Sequence, residues 1–97
     1  DYVYVDDACR AINHVMKNGR LNEIINIGSG KPTLICNAID YARQKLNSKS
    51  RINNIETAEF HKVVQTTDMV LDTSKLKALG FELEYKSIES IIDKLLE

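Results

Sequence analysis

The groups in this chain that could do chemistry are two histidines, two cysteines, paired carboxylates and one serine between glycines. Gly28-Ser29-Gly30 follows the apolar run Ile24-Ile25-Asn26-Ile27, and glycines placed there let backbone N–H groups approach an anion. The fit to a phosphate loop then fails in detail. A dinucleotide fingerprint needs a third glycine where Thr33 stands. A Walker A loop needs glycine at Ile25, and serine or threonine at Pro32, which also lacks an N–H. The segment therefore reads as a strand-to-helix turn. His14 and His61 lie far apart in sequence, and His14 reads as a surface residue. Cys9 and Cys36 are too few for a disulfide framework or a zinc site, and they read as small buried hydrophobes in helices. Asp6-Asp7 reads as a helix cap, Lys75 and Lys77 as a solvated helix face, and no Ser/His/Asp arrangement is visible.

The elements that would position these groups follow from periodicity. Tyr2 to Val5 is β-branched and aromatic, favouring a strand. Ala8, Ile12, Val15 and Met16 recur at helical spacing up to a stop at Gly19. Glu23 to Ile27 predicts a second strand. Thr33 is placed to cap a helix with the stripe Ile35, Ala38, Ile39, Ala42 and Leu46. Arg51 to Glu56 is a candidate third strand, and Val63-Val64 and Met69 to Leu71 are short strands or extended loop. Asp72 or Thr73 caps a short helix ended by Gly80, and Ser87 starts a last helix carrying Ile88, Ile91, Ile92 and Leu95. The expected fold class is α/β with α+β character: a small sheet of two to three short strands covered by about four helices.

Length and charge bound the function. The chain has 97 residues, enough for one small core. A net charge of -1, from 13 basic and 14 acidic residues, excludes a strongly basic nucleic-acid surface and an acidic tail. No apolar run reaches the roughly 18 residues of a membrane span, and no signal peptide is expected. The abrupt start on the strand-like Asp1-Tyr2-Val3-Tyr4-Val5 predicts a fragment of a larger protein.

Three segments together carry a resemblance. Asp1-Tyr2-Val3-Tyr4-Val5-Asp6-Asp7, Ile25-Asn26-Ile27-Gly28-Ser29-Gly30 and Asp72-Thr73-Ser74-Lys75-Leu76-Lys77-Ala78-Leu79-Gly80-Phe81 resemble, in order, three motifs of the extended short-chain dehydrogenase/reductases. These are the NAD-dependent nucleotide-sugar epimerases and dehydratases, with UDP-glucose 4-epimerase the best-known type. The resemblance implies that residues 1–97 are the C-terminal substrate-binding domain of such an enzyme. It implies an absent N-terminal Rossmann domain that binds NAD(P), a catalytic Tyr-x-x-x-Lys lying upstream, and a homodimeric, cytoplasmic parent. The chain would hold a nucleotide-diphosphate sugar and would be inactive alone, with no metal, membrane or nucleic-acid partner.

On the same resemblance, Lys62 stands where the family places a diphosphate-binding Arg, as a point charge without the bidentate fork. His61 beside it can add charge near or below its ordinary pKa of ~6.5. Val64-Gln65 replaces the family's Gly-Asp pair. Tyr2 is expected to line the sugar-nucleotide cleft, or else to pack in the core. The competing expectation is a stand-alone, non-catalytic binding or protein-interaction module, since fold does not fix function.

Overall fold

The computed structural model of the chain describes residues 1–64 and 68–97, so Gln65 lies outside the described residues. Five helices occur in it: α1 (Val5–Asn18), α2 (Ile35–Lys45), α3 (Glu59–Val64), α4 (Ser74–Ala78) and α5 (Ile88–Leu95). Among the described residues there is no strand. The expected α/β fold with its small sheet is therefore overturned. Val5 opens α1, Val63 and Val64 belong to α3, and residues 23–27, 51–56 and 69–71 are irregular. A β-rich sequence becomes a strand only when a neighbour accepts its ladder, and these segments find none here.

The resemblance to the extended short-chain dehydrogenase/reductases falls with the sheet. It rested on three ordered sequence motifs and implied a sheet, and the described residues are helical and irregular with no strand. The chain is not assigned to that family.

α1 shows how the core is chosen. Its inward face carries Asp7 and Ala11, both fully buried, with Val15 packed beside them. The expected stripe is split: Val15 packs inward and Ala8 is half-buried, while Ile12 and Met16 are exposed. Ala11, Leu76 and Phe81 form the core, and Val15, Ile25, Ile27 and Leu83 pack against it. The apolar contacts thus join α1, α4, the 23–27 segment and the segment after Gly80.

α2 and α5 pack together at the other side of the molecule. The Tyr41 hydroxyl donates to Asp93 Oδ1 at 2.8 Å, and Lys45 Nζ lies 3.5 Å from the same oxygen. Of the α2 stripe only Ala38 is buried. Leu34, not Thr33, is the α2 cap residue, and it makes no side-chain cap bond. α5 begins as its sequence predicts. Ser87 Oγ accepts from the Ser90 N–H at 3.1 Å, and Ser90 Oγ accepts from the Ser87 N–H at 3.2 Å. Ile91 and Ile92 are its buried residues.

The molecule is a slab of 48 × 36 × 17 Å with a radius of gyration of 16.3 Å. A compact chain of this length has a radius of about 12.5 Å. Its accessible surface is 7916 Å², against about 5600 Å² for a compact monomer of this mass. Leu21, Ile24, Ile55, Phe60 and Val63 stand largely in solvent. No helix is long and apolar enough to cross a membrane among the described residues.

A lysine-lined cleft as candidate functional site

Two aspartates position the site. Asp7 is fully buried in the first turn of α1 and does not act as its cap; that position belongs to Tyr4, with no side-chain bond. Its carboxylate reaches across the molecule instead. Oδ1 accepts from the Glu84 N–H at 3.0 Å and Oδ2 from the Tyr85 N–H at 2.9 Å, and the Arg10 guanidinium pairs with Oδ1. Burial pushes the Asp7 carboxyl upward. Arg10 and the N–H groups of Tyr85 and Glu84 outweigh it, so the group titrates below the ordinary aspartate range. The segment after Phe81 is thereby fixed to α1. The Tyr85 ring also packs against Tyr4, tilted by 59° with centroids 4.7 Å apart.

Asp1 does the equivalent for the glycine turn. Its carboxylate accepts from the Ser29 N–H at 2.8 Å, Ser29 Oγ at 2.9 Å, the Gly30 N–H at 3.0 Å and the Leu71 N–H at 3.0 Å. Gly30 has φ +71°, which favours glycine, and a Cβ at Gly28 would lie 2.8 Å from Leu71 Cδ1, so that side chain would have to shift. The turn therefore is an anion site, and the chain's own carboxylate fills it.

This settles how the residues fit a nicotinamide dinucleotide, the cofactor expected for the parent. The Ser29 and Gly30 N–H groups already have an acceptor, and Pro32 has no N–H to offer. The turn does not fit a pyrophosphate.

Between the two pinned segments and α4 lies a cleft of about 240 Å³. Leu76, Phe81 and Leu83 supply its apolar wall. Lys31, Lys77 and Lys86 also line it, with Glu82 the one acidic residue, together with Ser29 and Thr73. Lys31 Nζ donates to the Lys86 carbonyl at 3.2 Å, which draws the glycine turn to the opposite wall. Lys86 Nζ lies 3.7 Å from Glu82 Oε2. Lys77 makes no ion pair among the described residues. A local cationic excess in a chain of net charge -1 attracts anions, and phosphate oxygens are the natural match.

The sequence-predicted site residues are divided by the structure. Tyr2 is exposed and lines a smaller adjoining cleft with Lys31, Tyr85 and Lys86, so it neighbours the cationic site. Lys62 and His61 lie on α3 and line neither cleft. Lys62 Nζ is 3.4 Å from Glu59 Oε1, and the His61 ring meets Phe60 edge-on at 5.7 Å. His14 is no free surface group: Nε2 lies 2.7 Å from the Leu79 carbonyl oxygen, with the ring 5.6 Å from Phe81. Cys9 and Cys36 are exposed, not buried. No group of three or more His, Cys, Asp or Glu could hold a metal ion among the described residues.

Lys31, Lys77 and Lys86 were not legible as a site. They belong to three separate segments, and only Lys31, next to the glycine turn, carried a local signal. The Asn26 side chain ties its segment to a neighbouring loop, donating to the Asp72 carbonyl at 3.2 Å.

No family model matches the chain, and no solved structure matches it. Among curated proteins it is similar to the low-salt glycan biosynthesis protein Agl12 of Haloferax volcanii. The two are 28% identical over 100 residues, covering 99% of this chain and 31% of that protein. The chain thus spans about a third of the length of the curated relative it matches.

Proposed function

We propose that this chain is a non-catalytic binding lobe of a longer protein of glycan synthesis, and that it holds the diphosphate of a nucleotide sugar. The observation that carries the reading is the cleft walled by Lys31, Lys77 and Lys86. Its lysines can share the negative charge of a diphosphate, while Leu76, Phe81 and Leu83 exclude water from one side. Tyr2, beside Lys31 and Lys86, offers a ring to the nucleoside or the sugar. Similarity along nearly the whole chain to a glycan biosynthesis protein supports the substrate class. Groups that move hydride or protons, and the NAD(P) they would serve, come from outside these residues, as does the homodimer contact expected for the parent. A cytoplasmic place belongs to the same reading. Binding here orients the substrate for that chemistry.

Calorimetry on the polypeptide translated from the native gene tests this, with pyrophosphate and UDP-glucose as probes. Both bind, binding weakens with added salt, and Lys77→Ala weakens it about tenfold, the size of one lost charge-assisted bond. Lys62→Ala leaves it unchanged. If Lys62→Ala abolishes binding and Lys77→Ala does not, the site is on α3 and the cleft is excluded. If neither probe binds, the stand-alone interaction module, favoured by the large exposed apolar surface, replaces this reading.

A further inference from the structure

Residues 23–27 have the side-chain pattern of a strand and no sheet to belong to. Ile25 and Ile27 are half-buried against the core, while Ile24 and Asn26 face solvent. That alternation is what an extended backbone produces. Of the main-chain groups of these five residues, the Ile24 carbonyl alone has a partner among the described residues, accepting from Lys75 Nζ at 3.0 Å. Lys75 also lies 3.7 Å from Glu23 Oε1, and the Asn26 side chain bonds the Asp72 carbonyl. One flank of the segment is thus held by residues 72–75 through side chains.

Unpaired main-chain donors and acceptors beside a half-buried apolar face form an open strand edge. We propose that residues 23–27 pair with an extended segment of the longer polypeptide, outside these 97 residues, by main-chain hydrogen bonding. The inference rests on the reading of the chain as one lobe of a longer protein, and it adds where the rest of that protein docks. Two observations name this occupant. The surplus of exposed surface, 7916 Å² over about 5600 Å², is large enough for a standard stable interface. The similarity covers 31% of the relative, whose remaining length is ample to supply such a strand. Main-chain bonding would give the affinity, and an apolar side chain over Ile24 would give the register.

Hydrogen exchange on the polypeptide translated from the native gene decides the point. The amides of residues 23–27 exchange at least 100-fold more slowly than that of Lys49 in the exposed loop after α2. Ile24→Lys, a change on the solvent face of this chain, speeds their exchange while leaving the α5 amides protected. Exchange at residues 23–27 as fast as at Lys49 overturns the proposal, as does protection that Ile24→Lys leaves intact. The pyrophosphate titration is independent. Slow exchange without pyrophosphate binding removes the diphosphate reading and keeps the docking edge; binding with fast exchange does the reverse.

Discussion

Asp1 and Asp7 make the same kind of clamp in different surroundings. Each carboxylate gathers main-chain N–H groups from segments remote in sequence: Asp7 from Glu84 and Tyr85, Asp1 from Ser29, Gly30 and Leu71. Asp7 has no exposed surface, and its charge is balanced by Arg10. Asp1 is half-buried beside the glycine turn and has no paired cation among the described residues. The difference separates holding the fold from shaping the site. A buried acceptor leaves orphaned donors when removed, whereas water can reach donors at an edge.

The sharpest break of that comparison is Asp7→Ala. It leaves the Glu84 and Tyr85 N–H groups without their acceptor and Arg10 without its partner, and should lower stability by about 3 kcal/mol. Chemical denaturation measures it, and a loss no larger than that of Asp1→Ala would erase the distinction.

Acid sharpens the same contrast. The Asp7 carboxyl titrates lower in the folded protein than in the unfolded chain. Its contribution is present above the unfolded pKa of ~3.9 and is lost as pH falls through the lower folded value. The stability difference between the wild type and Asp7→Asn should therefore be constant at neutral pH and shrink below about pH 4. A difference that does not change down to pH 2 would mean that the Asp7 charge is not what holds residues 84 and 85.

Asp1→Ala should have the smaller effect, about 1–2 kcal/mol, because water replaces the carboxylate at its half-open donors. Its signature is elsewhere. Freeing the Ser29 and Gly30 N–H groups makes the turn available to an external anion, so pyrophosphate should bind more tightly than to the wild type. Calorimetry reads this, and weaker binding would show that the Asp1 clamp serves the cleft by holding its wall in place.

Local signals were legible where a few neighbouring residues suffice. Gly19 ends α1, Ser87 and Ser90 build the start of α5, and Ile91 and Ile92 are buried as their spacing predicts. Faces and partners were not. Ile12 and Met16 share the predicted stripe with Val15, yet only Val15 packs inward, beside the buried Asp7 and Ala11. The sheet was misread for a related reason: residues 23–27 alternate as a strand does, but pairing depends on a neighbour that local sequence does not contain.

The sequence by itself determined the stop of α1 at Gly19, the Ser87 start of α5 and the strand-like alternation of residues 23–27, because each depends on the conformational preferences of adjacent residues. Only the tertiary structure decided that the turn is filled by Asp1, that Asp7 clasps residues 84 and 85, and that Lys31, Lys77 and Lys86 meet at one cleft. Charges from distant segments act together only once the chain has brought them within a few ångströms, where their interaction outweighs the screening of water.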